Sequence, residues 1–113
     1  MKKSKSNQPI TDGGYNKLEF QLLSRGWKRK EYQLNTRHFE MIKIYKREDN
    51  QISNDVYKFN CYFSTPGFVF ILMQTWGVEC RVIKYKDYKK ALSVAECVKE
   101  IDHLMFNERI EKL

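Results

Sequence analysis

The stretch that decides the fold of this chain is VYKFNCYFS, residues 56–64. Its large apolar side chains recur at every second position, which is typical of a β-strand with one face buried and the other partly solvated. The residues expected on the buried face are Tyr57, Phe59, Cys61 and Phe63. The stretch therefore predicts one strand of an antiparallel sheet.

The residues that follow predict a hairpin. Thr65-Pro66-Gly67-Phe68 fits a type II turn, because proline takes the second position and glycine the third, where φ is positive. Residues 68–73 are then apolar at every position. A strand over 68–75 is therefore expected in the middle of the sheet, with both faces buried.

Gly77 interrupts this second strand, as a break or a bulge. A single strand from Phe68 to Tyr85 would be about twice the usual length or more. We therefore expect a turn near Trp76-Gly77 and a further strand from Val78 to Tyr85. One side of that strand would carry Val78, Cys80 and Val82, and the other Glu79, Arg81 and Ile83.

Two more strands are predicted upstream of the hairpin. In the segment from His38 to Arg47, Ile42 and Ile44 face one side, opposite to Phe39, Met41 and Tyr45. The segment from Trp27 to Leu34 is charged, and charge suits a short strand at a sheet edge. A loop rich in Asp, Asn and Ser, residues 48–55, then leads into the central hairpin.

Helices are predicted at the two ends of the chain. The first extends from about Tyr15 to Arg25 and ends at Gly26. Its candidate entry is Asp12-Gly13-Gly14, and Asn16-x-x-Glu19 is a candidate capping box one turn later. The second begins after the capping box Ser93-Val94-Ala95-Glu96. Its apolar stripe is Cys97, Val98, Ile101, Leu104 and Met105.

The predicted fold class is therefore α+β. We expect an antiparallel meander of four to five strands with an N-terminal and a C-terminal helix, in the order α-β-β-β-β-β-α. Both helices are expected to pack on one face of the sheet. Residues 1–10 are interpreted as a disordered basic tail, and residues 11–113 as a single α+β domain.

Composition limits the class of protein. The net charge is +7, and the three cysteines are too few and too far apart to indicate a disulfide framework. The basic N-terminus lacks the apolar stretch of a signal peptide, and no apolar run approaches the length of a membrane span. These features favour a cytoplasmic protein with reduced thiols and no membrane partner.

Catalytic, metal and cofactor signatures are absent from the sequence. No C-x-x-C or H-x₃-H spacing occurs, and no glycine-rich phosphate loop. The cysteines are interpreted as buried structural thiols. The chain is therefore expected to have no metal, no cofactor and no enzymatic activity. An enzymatic site assembled from distant residues would first involve His38, His103 and the cysteines.

Two basic segments interleaved with aromatic residues suggest nucleic-acid binding, which needs cations for phosphates and rings for base stacking. The first, residues 25–32, comprises Arg25, Trp27, Lys28, Arg29, Lys30 and Tyr32, with Lys28, Arg29 and Lys30 as its candidate binding residues. The second comprises Arg81, Lys84, Tyr85, Lys86, Tyr88, Lys89 and Lys90. The alternative is that they form a charged edge strand and a solvated connector.

The strand over residues 68–75 suggests a different function. If both helices cover the face that carries Phe68, Phe70 and Leu72, then Val69, Ile71 and Met73 lie on an uncovered apolar face, which marks an interface. A sheet that curls on itself, or helices on opposite faces, would cover them instead. Our first hypothesis is a small binding or accessory protein that uses a protein–protein interface, including homodimerisation. Nucleic-acid binding is the alternative.

Overall fold

The computed structural model describes residues 9–11, 15–29, 38–45, 55–64 and 67–110. The elements are α1 (Asn16–Leu23), β1 (Lys28–Arg29), β2 (His38–Tyr45), β3 (Asp55–Ser64), β4 (Gly67–Trp76), β5 (Glu79–Tyr88) and α2 (Val94–Ile110). The strands form one sheet in the order β1-β2-β3-β4-β5, and each is antiparallel to its neighbours. The predicted element order and the antiparallel meander are confirmed.

The central hairpin differs from its prediction at the turn. Gly67 is the first residue of β4 and pairs with Ser64, and its φ is not positive, so the predicted type II turn is wrong. Residues 65 and 66 lie outside the described residues. Glycine is required at 67 for another reason: a Cβ there would stand 2.6 Å from the backbone oxygen of Tyr88.

The strand after Gly77 is longer than predicted. Gly77 and Val78 form the turn between β4 and β5, with a φ of 61° at Gly77, which confirms the predicted break. Val78 itself lies in the turn, not in the strand. β5 continues to Tyr88, three residues beyond its predicted end at Tyr85. A register shift between Leu72 and Met73 marks a β-bulge in this pairing.

One hydrophobic cluster forms the core, and it draws on the predicted strand alternation. From the sheet it contains Phe39, Met41, Tyr57, Phe59, Cys61, Phe68, Phe70 and Leu72. From the helices it contains Leu18, Leu22, Val94, Cys97, Val98, Ile101 and Met105. Both helices therefore share a core with the same alternate set of strand residues, which we call the core face of the sheet.

Further contacts tie each helix to the core face. Tyr15, at the start of α1, stacks on Phe39 with ring centroids 5.0 Å apart. Lys84 on β5 is paired with Glu100 of α2. These contacts support the prediction that both helices pack on one face, which stays a prediction.

The helix ends differ in how well their local sequence predicts them. Helix α1 ends as expected: Gly26 has a φ of 91°, and the Trp27 amide donates to the Leu22 carbonyl at 3.0 Å, the pattern of a glycine-terminated helix. The N-cap of α1 is Tyr15 without a side-chain hydrogen bond, so the predicted capping box at Asn16 is wrong.

The capping box of α2 is present. The Glu96 amide donates to Ser93 Oγ at 3.1 Å, and the Ser93 amide donates to Glu96 Oε1 at 3.4 Å. The pair satisfies two amides that helix geometry leaves without a partner, which fixes the start of α2 at Val94.

The folded domain begins earlier in the chain than the sequence predicted. Pro9 forms an isolated bridge with Ser93, and the Ile10 amide donates to the Leu92 carbonyl at 2.9 Å. The Ile10 side chain is buried in the core cluster. These two residues therefore belong to the folded domain and not to the predicted tail, whose residues 1–8 lie outside the described residues.

Candidate functional site

The sheet has a second face, formed by the strand residues that alternate with those of the core face. The register aligns its described members in cross-strand rows. They are Lys28, Glu40, Ile42, Ile44, Val56, Lys58, Asn60, Tyr62, Val69, Ile71, Met73, Thr75, Cys80, Val82, Tyr85 and Asp87. We call this set the second face.

Apolar side chains of the second face form a strip across β2 to β5. The apolar strip consists of Ile42, Ile44, Val56, Ile71, Met73, Val82 and Tyr85. Within the described part of the chain, none of these seven packs against the core cluster. Val82 is 54% exposed and Tyr85 is 59% exposed. The strip is therefore apolar surface that the two helices do not bury.

Of the three interface residues predicted from the sequence, one is not available to a partner. Val69 is 2% exposed, while Ile71 and Met73 are half-buried. The side chains of Tyr62 on β3 and Tyr85 on β5 are hydrogen-bonded, and these strands flank β4. That bond spans β4 between the Val69 and Ile71 rows. Val69 is left out of the apolar strip because it is buried.

The tyrosine bridge also affects the chemistry of Tyr85. The neighbouring Tyr62 phenol, partial desolvation and the Asp87 carboxylate raise the pKa of Tyr85 above its ordinary value. The phenol therefore stays neutral well beyond physiological pH, and it adds a polar group to the strip without adding a charge.

The two basic segments lie at opposite edges of the sheet. Lys28 and Arg29 form β1, and Arg81 to Tyr88 belong to β5. With strands about 4.8 Å apart, the two edges are separated by about 19 Å. Lys30 lies outside the described residues. The structure therefore does not bring the predicted nucleic-acid residues together in one surface.

Several of these cations form ion pairs with residues of the helices. Arg29 pairs with Glu19 of α1 at 3.1 Å, Arg81 pairs with Glu108 of α2, and Lys84 pairs with Glu100. The Glu100 carboxylate raises the pKa of Lys84. Because these pairs are partly exposed, each contributes at most about 1 kcal/mol. Their acidic partners also reduce the positive potential at both edges.

The cations that remain at β5 lie near the end of the strand. Lys86 stands over the Tyr88 ring, 5.7 Å from its centroid, and Lys89 and Lys90 are exposed. This group is smaller than the segment predicted from the sequence. Tyr85, which the sequence grouped with it, lies on the second face.

The three cysteines divide into two environments. Cys61 and Cys97 are buried, as predicted, and burial raises the pKa of both thiols well above the ordinary range. Cys80 is exposed, so its interpretation as a buried thiol is wrong. The reason is its place on the second face of an edge strand, opposite Thr75.

Thiol reactivity tests this division. We expect one cysteine, Cys80, to react rapidly with an aromatic disulfide reagent in the folded protein, and all three to react in denaturant. Cys61 and Cys97 should react slower by at least about a thousandfold, because their exposure requires unfolding. Cys80→Ser should abolish the fast phase. Fast reaction of two or three thiols in the folded protein would contradict the placement.

Two clefts lie beside α2, and neither gathers the residues of the enzymatic alternative. The first, about 340 Å³, is lined by Gln21, Arg25, Val94, Ala95, Val98, Lys99 and Asp102. The second, about 370 Å³, is lined by Tyr88, Leu92, Glu96, Lys99, Glu100 and His103. Arg25 in the first is already paired with Asp102 at 2.9 Å. Neither cleft contains a cysteine.

Over the described ranges, no group of three or more His, Cys, Asp or Glu residues is arranged to hold a metal ion. Among the described helices, none has the length and apolar character needed to cross a membrane.

Comparison with known proteins finds no relative of this chain. No protein family matches the chain, and no curated protein or solved structure shows significant similarity to it.

Proposed function

We propose that this chain is a small non-enzymatic binding protein whose interface is the second face of the sheet. The observation that carries the proposal is the apolar strip, seven side chains on four adjacent strands that lie outside the core cluster. Contiguous apolar surface of this kind is uncommon on a protein that has no partner.

The position of the helices supports an interface on the second face. The buried residues of α1 and α2 join the core face, and we infer that both helices pack on that side. The domain then has two layers, and the second face of the sheet is open to solvent or to a partner, as one face of an antiparallel sheet commonly is. Because the three cysteines are free, a reducing compartment, the cytoplasm, suits the protein.

Site-specific photo-crosslinking in the producing cells tests the proposal. A benzophenone-bearing phenylalanine in place of Tyr85 samples the apolar strip, and the same residue in place of Phe20 samples α1. Phe20 is 71% exposed, so it is a matched control for solvent access. We expect a discrete covalent adduct from position 85 and none from position 20.

The mass of the adduct identifies the kind of partner. An adduct of twice the chain mass indicates a second copy, and any other discrete mass indicates a different protein. A position 85 that gives no adduct, or the same diffuse products as position 20, would remove the basis for an interface on the second face.

Nucleic-acid binding is retained as the second candidate because Lys86, Lys89 and Lys90 form an exposed basic group beside the Tyr88 ring. Phosphate contacts by this group would make affinity fall steeply with salt. We would measure binding to single-stranded RNA and to duplex DNA by fluorescence anisotropy over a salt series.

The expected result for this candidate is a smaller salt slope when Lys86, Lys89 and Lys90 are replaced by alanine. Lys28→Ala, at the opposite edge, is the matched control and should leave the slope unchanged. Absence of binding to both the RNA and the DNA at low salt would rule out nucleic-acid binding as the function of this chain.

A further inference from the structure

The extent of the second face sets an upper limit on the interface that it can form. Strands β2 to β5 contain eight to ten residues each. At about 4.8 Å between strands and about 3.4 Å per residue, four strands span roughly 650 Å², and Val69, Glu40 and Asn60 within that area are buried. Two such faces in contact would bury at most roughly 1,300 Å² in total, at the low end of the range of specific interfaces.

The charges of the second face are balanced, unlike those of the whole chain. Its described cations are Lys28 and Lys58, and its described carboxylates are Glu40 and Asp87. The chain as a whole carries a net charge of +7. A polyanion would therefore be attracted to other surfaces, whereas two copies of this face can approach without net repulsion.

The position of Lys58 restricts which kind of partner the second face can accept. It stands in one cross-strand row between Ile42 and Met73, so its charge lies within the apolar strip. Docking on an apolar partner would bury that charge without a counter-ion, which is costly. A partner that fits this face therefore needs a carboxylate opposite Lys58 and apolar side chains around it.

A second copy supplies such a carboxylate. Asp87 lies two strands away from Lys58 and four residues further along the strand direction, a separation of about 17 Å from strand geometry. The two residues cannot pair within one chain at that distance. In a two-fold interface each contact occurs twice, so one symmetry axis would place both Lys58 side chains opposite the Asp87 of the other copy.

We propose that the occupant of the second face is another copy of this chain, packed face to face about a two-fold axis, with Lys58 of each copy opposite Asp87 of the other. This inference rests on the proposed function, since it names the partner of the same face. In this register the axis passes close to Ile71, which lies midway between Lys58 and Asp87. The apolar contacts across the axis are then those of Ile71, Met73 and Tyr85, and the charge pairs set the register of the two sheets.

Sedimentation equilibrium over a concentration series tests the proposal. The wild-type chain should sediment at twice its 13.7 kDa mass. Met73→Asp places an unpaired carboxylate in the strip and should weaken self-association by roughly a hundredfold or more. Phe20→Asp, on α1, should leave it unchanged. Circular dichroism would verify that each variant is folded, and Val82→Asp on exposed β5 replaces Met73→Asp if that variant is unfolded.

The charge pair is tested by reversal. Lys58→Asp and Asp87→Lys should each weaken self-association, and the double variant should recover most of the loss, because the pair is re-formed with opposite polarity. Absence of recovery would overturn the assigned pair. A wild-type chain that stays monomeric at every concentration would overturn the proposed self-association. The proposed interface would still stand in that case if the crosslinked adduct at position 85 has a mass other than twice that of the chain.

Discussion

Phe59→Ala is expected to lower the free energy of unfolding by about 3–5 kcal/mol. The ring is fully buried and lies on β3, the middle strand of the sheet. It contacts rings on both neighbouring strands, with centroids 6.3 Å from Phe39 and 5.0 Å from Phe70. Its removal would leave a cavity that three strands cannot close, in a domain whose total stability is only about 5–15 kcal/mol.

Urea unfolding followed by tryptophan fluorescence measures this effect, with Phe106→Ala as the matched control. Phe106 lies on α2 and is 63% exposed, so the same truncation should change the free energy of unfolding by no more than about 0.5 kcal/mol. A loss below about 1 kcal/mol for Phe59→Ala would show that the core is not organised around this ring.

Gly67→Ala is expected to lower the free energy of unfolding by about 1–3 kcal/mol through crowding. The added methyl group would stand 2.6 Å from the Tyr88 carbonyl oxygen and 3.1 Å from Asp87 Oδ1. The backbone oxygen cannot rotate away, so the ends of β4 and β5 must separate. Hydrogen exchange at the Phe68 and Tyr88 amides should accelerate, while exchange at the β2–β3 pairs should change little.

Ser64→Ala is the control for crowding at this end of the hairpin. Ser64 is the strand partner of Gly67, and its replacement by alanine removes an atom instead of adding one. We expect a change within about 0.5 kcal/mol. Wild-type stability and exchange rates in Gly67→Ala would contradict the close approach of β5.

The strands could be predicted where the alternation of apolar and polar side chains along the sequence indicates which face is buried. In β3 the alternation of Tyr57, Phe59 and Cys61 with polar residues determines which side faces the core, because a slip of one residue would expose all of them. The end of α1 and the start of α2 were predictable for a similar reason, since Gly26 and the Ser93–Glu96 pair act locally.

The bulge in β5 could not be predicted from the sequence. Continued alternation from Cys80 and Val82 would place Lys84 on the second face and Tyr85 on the core face. The register shift opposite Leu72 and Met73 reverses them. It brings Lys84 to Glu100 of α2 and Tyr85 to Tyr62. The bulge arises from pairing between strands, and residues within β5 carry no separate sign of it.

The candidate site was predicted in part. Residues Ile71 and Met73 were expected on the second face, because the strand over 68–75 is apolar on both sides. The burial of Val69 and the ion pairs of Arg29, Arg81 and Lys84 depend on contacts between separate elements of the fold. The sequence contained one indication of the ion pairs with α2, namely a basic strand and an acidic C-terminal helix in the same small domain.

The most direct test of the central claim is an isotope-filtered NOE experiment on a mixture of methyl-labelled and unlabelled chains. Signals then arise only between copies. The proposed dimer predicts contacts from the Met73 methyl group of one copy to apolar-strip residues of the other, such as Ile71 and Tyr85. Absence of such signals at concentrations where the chain is dimeric, or contacts only to Phe20 and Phe106 on the helices, would contradict the assignment of the second face.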